Sequence, residues 1–587
     1  MINEHLKQLQ EQLIEKNIDL YYLNTSDYHC SEYVSEYFKT IAYFSGFTGS
    51  LATLLVSKDN AFIFVDGRYH SQADKECLEN GIKVIKLGLP GALEPIDFIK
   101  KFYADKVIGL DGKRSTISFV KQLLDANIEI KSVDIYSNII VDRPALPHNK
   151  IVEYKDKYTG LPRNKKLELI KYCINGNVHI VNNLESISYI LNLRGSDVKY
   201  TPVFLSYLVF NNKDVYLFTD IDRFGEDTLD ALFEDGIIIR PYESYYEFLE
   251  LMSRKNIWLD EHKVNYETFI RINGRKNVIE NKRSLIEEMK SIKNSVEQAN
   301  SRQAHIYDGI AMLRFLKWLD NADKTAYTEY DVAQKINEFR LSYKAKDLSF
   351  ESIVAYNENS AIIHYAPKKG KSKKLDNKGI LLVDTGGQYE MGTTDITRTI
   401  ALGDVPYEVK KYFTLVLKSM FNLSELKFIR GLSGNQIDII ARKDLWAEGV
   451  DYRHGTGHGV GHYLSVHEGP PNIRYMKTDA GNEEIEIKPG MIFSDEPGVY
   501  FEGKFGIRCE NLLLCRKDYK NEYGEFLKFD TLTLVPFDTR LIAKEYLDEN
   551  TINVINAYHK RVYETLLPYI SVDEEKYLRK ITSIIWK

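Results

Sequence analysis

Two aspartates set the chemistry of this sequence. Asp384 and Asp395 lie within Gly379–Leu402, GILLVDTGGQYEMGTTDITRTIAL, which reads as a β-hairpin with one acid on each arm. Ile380, Leu381, Leu382 and Val383 form a buried-strand run, Gly386 and Gly387 permit a tight turn, and Ile396, Thr397, Thr399 and Ile400 supply β-branched residues for the return strand. Two acids among apolar strand residues repel one another and resist burial, so either their pKa values rise or a cation shares the site. The alternative is a pair of surface aspartates flanking a loop, because Asp beside Gly is ordinary turn chemistry.

Three more candidate donors follow. His458 sits in HGTGHGVGH (His454 to His462), where alternating glycines let the backbone approach a ligand closely and argue against a helix. This is neither the HExxH zinc pattern nor the phosphate-cradling GxGxxG. Glu496 ends the apolar run MIFSDEPG, which Pro497 and Gly498 stop. Glu510 lies in GIRCENLLL, read as one strand whose alternation puts Arg508 and Glu510 on the same face. A lone glutamate on a strand usually faces solvent. Together, though, four carboxylates balance the charge of two divalent cations, so a closely spaced pair of ions would let the cluster be buried. Oxygen-rich ligation with one nitrogen favours manganese, with cobalt, iron or zinc as alternatives, over a structural zinc site built from cysteines. The five cysteines, Cys30, Cys77, Cys173, Cys509 and Cys515, are scattered and do not form such a site, and they point to a reducing cytoplasm.

The order of these residues, in the strings VDTGGQY, TTDITRT, HGTGHGVGH, VHEGP, DEPGVY and GIRCEN, resembles the pita-bread metallopeptidases. Among them it is most similar to the three-domain aminopeptidase P (Xaa-Pro aminopeptidase) type, and the likeness extends through VDRPALP, NLRGSD, FESIVAYNENSAIIHY and a C-terminal PF…AYH segment. The resemblance implies that Asp384 binds one metal, that Asp395 and Glu510 bridge two, and that His458 and Glu496 bind the other. It implies further that His364, His454, His467 and Arg508 handle substrate or support the ligands, and that peptides with proline second lose their first residue to a hydroxide held between the metals. Glu496 would take the proton of that nucleophile and return it to the prolyl nitrogen. His364 and His467 would donate to the oxyanion or its flanking carbonyl, a contribution of about 3 kcal/mol per donor, and Arg508 would orient a carboxylate. A homodimer is implied as well. Alternatives are a prolidase that takes dipeptides, a metal-free pita-bread binding module, and methionine aminopeptidase, which the two leading domains disfavour.

Elements able to position these groups can be read along the chain. Its 587 residues exceed a single core and suggest several domains. A repeat relates YFSGFTGS (Tyr43 to Ser50) to YILNLRGS (Tyr189 to Ser196), LLVSKDNAFIFVD (Leu54 to Asp66) to LVFNNKDVYLFTD (Leu208 to Asp220), and GIKVIK (Gly81 to Lys86) to GIIIRP (Gly236 to Pro241). The expected fold is α/β (α+β): two similar creatinase-type domains, 1–150 and 151–280, joined by the linker VDRPALPHNK, then a pita-bread catalytic domain with a C-terminal extension, 281–587. Ile306, Ile310, Leu313 and Leu316 predict a helix, and Thr328 with Asp331 predicts a capped second one. KKGKSKK (Lys368 to Lys374) reads as a solvated loop. The net charge of −6 gives no footprint for nucleic acid, and no apolar run is long enough to span a membrane. The N-terminus has the pattern of an amphipathic helix through Leu6, Leu9 and Leu13, unlike a signal peptide.

Overall fold

The computed structural model describes residues 2–475 and 484–585. The chain parts into two compact units, Met1–Glu287 and Glu288–Lys587.

The first unit holds two six-stranded sheets. One contains β1 (Leu20–Asn24), β2 (Thr53–Ser57), β3 (Ala61–Val65), β4 (Lys83–Lys86), β5 (Val107–Leu110) and β6 (Glu129–Ser132), in the order β4-β3-β2-β1-β5-β6. The other contains β7 (Val178–Val181), β8 (Tyr207–Phe210), β9 (Val215–Phe218), β10 (Ile237–Arg240), β11 (Asn256–Leu259) and β12 (Val278–Asn281), in the order β10-β9-β8-β7-β11-β12. Each strand of the second sheet occupies the place of its counterpart in the first, with the same parallel and antiparallel pairings, so the sequence repeat is a repeat of topology. Both faces of the first sheet are covered. Leu20 and Tyr22 enter one core with Leu55, Phe64 and Ile108, while Tyr21 and Leu23 enter another with Leu54 and the helical residues Leu6, Leu9 and Leu13.

The two halves of this unit meet through equivalent loops, those following β5 and β11. The main-chain hydrogen bonds are reciprocal: Ile117 N donates to Val264 O (3.1 Å) and Tyr266 N to Ser115 O (2.7 Å), while Ser118 N donates to Glu261 O and Glu267 N to Gly112 O (both 2.9 Å). Such an exchange is the signature of a twofold contact. Thr116 and Asn265, which bridge one another, cap the helices that follow.

The second unit opens with two helices. Ser295–Asn321 buries Ile310 and Leu313, with Ile306 and Leu316 partly covered, and Glu329–Leu341 starts from a capping box of Thr328 and Asp331, both in line with the sequence pattern. The Lys368–Lys374 segment is a largely exposed loop. These helices cover a sheet of β13 (Ile353–Tyr356), β14 (Ile380–Thr385) and β17 (Ile396–Ala401). Leu381, Val383, Ile396 and Ile400 face the helices, so alternation turns Leu382 and Asp384 to the opposite side.

Two details differ from the sequence expectation. Gly386 and Gly387 do not form the turn of the hairpin; a second small hairpin, β15 (Gly387–Tyr389) and β16 (Gly392–Thr393), is inserted there and turns at Glu390 and Met391. Gly386 is needed for close approach instead, since a Cβ there would lie 2.0 Å from Thr394 O. The GIRCENLLL stretch is also not one strand. β23 (Phe505–Arg508), paired with β22 (Gly498–Phe501), ends before Cys509, and β24 (Asn511–Asn521) begins after Glu510. An antiparallel sheet of β18 (Lys427–Ile429), β19 (Gly457–Gly459), β20 (Glu468–Ile473), β21 (Ile492–Asp495), β24 and β25 (Gly524–Thr531), in the order β18-β25-β24-β21-β19-β20, completes the unit. No helix among the described residues is long and apolar enough to cross a membrane.

The twofold-like contact in the first unit concentrates much of its bonding on buried Asn265, whose side chain accepts from Thr268 N (2.9 Å) and donates to Tyr28 O (2.7 Å) and the Tyr246 hydroxyl (3.0 Å). Asn265→Ala leaves these partners buried and unsatisfied, and is expected to cost about 2 kcal/mol, measured as a lower urea midpoint, with metal content unchanged.

Candidate active site

Asp384 lies near the end of β14 and Asp395 immediately before β17, and the register sets Asp384 opposite Thr397. Thr397 joins the two acids to the strand break. Its carbonyl accepts from Glu510 N (3.1 Å), and its hydroxyl donates to Glu510 Oε2 (2.8 Å) and accepts from Arg508 Nε (3.2 Å). Arg508 and Glu510 therefore act on the same side, as alternation predicted, although a break rather than a continuous strand carries them.

His458 is the central residue of β19 and is held between glycines that admit no side chain. A Cβ on Gly457 would sit 1.9 Å from Ser494 O, and one on Gly459 would sit 2.2 Å from Glu468 O. The Ser494 hydroxyl accepts from His458 N (3.0 Å) and donates to Glu496 Oε1 (3.2 Å), tying β19 to the end of β21. His458 Nδ1 donates to Gly459 O (2.9 Å), which directs Nε2 toward Glu496 Oε1 (3.3 Å) and Asp395 Oδ2 (3.5 Å).

The structure thus brings the five candidate donors into one cluster. Ligand atoms of Asp395, His458 and Glu510 lie within 4.8 Å of one another. Asp384 Oδ1 and Glu510 Oε1 are buried without a hydrogen-bond partner, the condition a cation would relieve. Burial pushes the Asp384 carboxyl up to about 6, with Arg508 pulling against it. Glu510 is driven well above the usual carboxylate range by burial and by Asp395, Glu496 and Asp384. Burial disfavours a charged His458, yet hydrogen bonds to Asp395 and Glu496 outweigh it and hold the imidazole up at about 10. Burial would likewise raise Glu496, and the same histidine brings it down to about 2. The His458 imidazolium thus serves Asp395 and Glu496 as a counter-charge, as Arg508 serves Asp384.

Arg508 Nη2 pairs with Asp384 Oδ2 (2.5 Å) and Nη1 donates to the Tyr500 hydroxyl (2.8 Å), which in turn donates to His454 Nε2 (2.8 Å). His454 Nδ1 donates to Gly455 O (2.8 Å), and burial lowers its pKa to about 4, so this ring is neutral. Asp384, Arg508, Tyr500 and His454 form one relay. His467 packs edge-on against His458, ring centroids 4.4 Å apart. His364 is half-buried in the turn beyond the 3-10 helix Asn357–Ala361, a segment fastened to β23 where Gly506 N donates to the Ser360 hydroxyl (2.7 Å). Sequence reasoning did not single out Tyr500, Thr397 or Ser494, although Tyr500 ends DEPGVY and Thr397 lies in TTDITRT.

A buried cluster of carboxylates with one imidazole, set between two antiparallel sheets and backed by helices, is the arrangement of a metallohydrolase. The model of metallopeptidase family M24 matches residues 299–517, and that of the C-terminal region of the M24 peptidases matches 525–585. The creatinase/prolidase N-terminal domain matches twice, over 5–141 and 142–297. Xaa-Pro aminopeptidase 1 of Dictyostelium discoideum is 36% identical, with 97% of this chain and 94% of that protein covered. A probable Xaa-Pro aminopeptidase P of Pyrenophora teres is 34% identical, covering 97% and 90%. The crystal structure of X-prolyl aminopeptidase from Caenorhabditis elegans, described as a cytosolic enzyme with a di-nuclear active site, superposes over 100% of both chains with a TM-score of 0.93 and 30% identity. The chain belongs to the Xaa-Pro aminopeptidase family of M24 metallopeptidases, with two creatinase-type N-terminal domains and a pita-bread domain.

The His458 imidazole, held up at about 10 by Asp395 and Glu496, must lose its proton before Nε2 could hold a cation, so uptake of a divalent cation at neutral pH is expected to release a proton and to tighten as pH rises. Titration calorimetry in two buffers of different ionisation enthalpy reads this directly, and zero net proton release would contradict it.

Proposed function

We infer that this protein is an Xaa-Pro aminopeptidase that removes the first residue from peptides with proline in second position, using two divalent metal ions. The observation that carries the reading is that Asp395, His458 and Glu510 converge, with Glu496 against His458 and one oxygen each of buried Asp384 and Glu510 unpaired, in a chain matched over 97% of its length by a relative of that name. The donor set fits hard or borderline divalent ions, manganese foremost. Asp384 would hold one ion, Asp395 and Glu510 both, and His458 with Glu496 the other. When bound, the ions supply an acidified water and polarise the scissile carbonyl.

The remaining steps fall to side chains. Glu496, held ionised beside His458, accepts the proton of the attacking water at a carboxylate oxygen and returns it to the prolyl nitrogen, which as a tertiary amide carries no proton of its own. His467, beside His458, and His364 donate to the developing oxyanion or its neighbouring carbonyl. Arg508 fixes the Asp384 carboxylate, and the neutral His454, anchored through Tyr500, keeps that arginine in place. The three-domain division at 1–150, 151–280 and 281–587, a homodimer, and a cytoplasmic location like that described for the Caenorhabditis elegans relative complete the proposal. A prolidase would share the donors but take dipeptides, and a binding module would not need them.

Purified protein stripped by chelation is expected to be inactive, and manganese to restore release of arginine from Arg-Pro-Pro but not from Arg-Ala-Ala. Cleavage of Arg-Pro alone would make the protein a prolidase. Asp395→Asn, which weakens both ions, should cost more activity than Asp384→Asn, each by about 100-fold or more. Metal analysis alongside the rates checks this: equal metal content and equal rates in the two variants would remove the bridging role from Asp395.

A further inference from the structure

β17 works on both of its faces. Thr397 and Thr399 turn to the donors, with the Thr399 hydroxyl donating to Arg508 O (3.0 Å), and alternation sends the intervening Arg398 to the back, where it is fully buried. Among the described residues, no carboxylate lies within ion-pair distance of its guanidinium. All of its acceptors are uncharged. Nη1 donates to the carbonyls of Thr397 (2.9 Å) and Glu510 (2.5 Å). Nη2 donates to Asn511 Oδ1 (2.8 Å), Val535 O (2.6 Å) and the Tyr558 hydroxyl (3.1 Å), and Nε to Pro536 O (3.2 Å). The Phe537 ring lies 3.8 Å beneath it.

This cation stands where the ladder fails. Cys509 and Glu510 fall between β23 and β24, and while Glu510 N reaches Thr397 O, the Glu510 carbonyl receives its hydrogen bond from Arg398. The far side of the guanidinium is held by the C-terminal region. Tyr558, on the helix Glu549–Leu566, receives one of the Arg398 bonds and donates to Val535 O (2.8 Å), the same carbonyl that Arg398 engages. A buried, unpaired arginine is unfavourable by itself. Here its charge lies directly behind the acidic cluster.

We propose that Arg398, locked by Tyr558, is a positioning residue for metal binding: by pinning the Thr397 and Glu510 carbonyls it keeps the Glu510 carboxylate aimed at the ions, which makes the C-terminal region part of the metal-binding apparatus. The proposal rests on the reading of Glu510 as a metal ligand. Partners that orient a ligand from behind typically change metal affinity by about 10- to 100-fold.

The test uses the full chain, with manganese affinity measured by competition against a chelator and with kcat and KM for Arg-Pro-Pro measured at saturating manganese. Tyr558→Phe removes one hydroxyl without changing shape. Tyr563→Phe removes a hydroxyl from the same helix that donates to Glu575, away from the site, and serves as control. Tyr558→Phe is expected to lose about 10-fold or more in manganese affinity, to regain most activity in excess manganese and to leave KM unchanged, while Tyr563→Phe binds manganese as wild type does. Arg398→Lys, which keeps the charge but loses the fork, is expected to show the same loss of affinity. Affinity within about twofold of wild type in Tyr558→Phe, with a lowered melting temperature, would reduce Tyr558 and Arg398 to structural residues and overturn the proposal. If the wild-type chain itself bound no manganese, the metallopeptidase reading would fail, and the positioning role with it.

Discussion

Four carboxylates confined to one buried space repel each other, and the C-terminal unit is organised around making that tolerable. Some of the relief is local. Arg508 takes one oxygen of Asp384, and His458 reaches both Asp395 and Glu496. The remainder is deferred, because one oxygen each of Asp384 and Glu510 stays buried and unpaired. A site left so unfinished by its own residues is poised for cations, and tight binding then follows from electrostatics more than from an elaborate cage. The same repulsion demands a stiff scaffold, since any slack would let the acids move apart toward water.

Stiffness comes from close backbone packing. The glycines around His458 lie within contact of opposing carbonyls, and Ser494 links the histidine strand to Glu496, so the imidazole has little freedom to shift relative to its acidic neighbours. Thr397 does the same work for the other pair of strands. The bonds from Ser494 to the His458 strand and from Thr397 to Arg508 and Glu510 join segments far apart in sequence, which is why the donors come together only in the finished fold.

That separation also explains what was legible beforehand. Asp384, Asp395, His458, Glu496 and Glu510 were legible as a set: each alone has an ordinary explanation, but four acids and a histidine in that order, within strings that resemble a known family, do not. The duplicated first unit was legible because matching strand strings recur in the same order. Tyr500 and Thr397 were not, because a tyrosine or threonine in a strand is unremarkable until register and a break place it beside a donor. The inserted hairpin at Gly387–Thr393 escaped notice because a double glycine serves a turn and a close approach equally well, and only the packing of Gly386 against Thr394 distinguishes them. The break at Cys509 and Glu510 was hidden because Phe505–Arg508 before it and Leu512, Leu513 and Leu514 after it both read as strand, with no proline or glycine between them.

The reciprocal hydrogen bonds between the loops after β5 and β11 have the form of an association between two copies of one module. Between separate molecules such an association would weaken on dilution. On one chain the partners are always present at the high effective concentration their connection imposes, so the contact survives without perfect symmetry. Gly112 in one half and Glu261 in the other accept equivalent main-chain bonds, from Glu267 and Ser118, despite their different side chains, and each half is free to specialise without losing its mate.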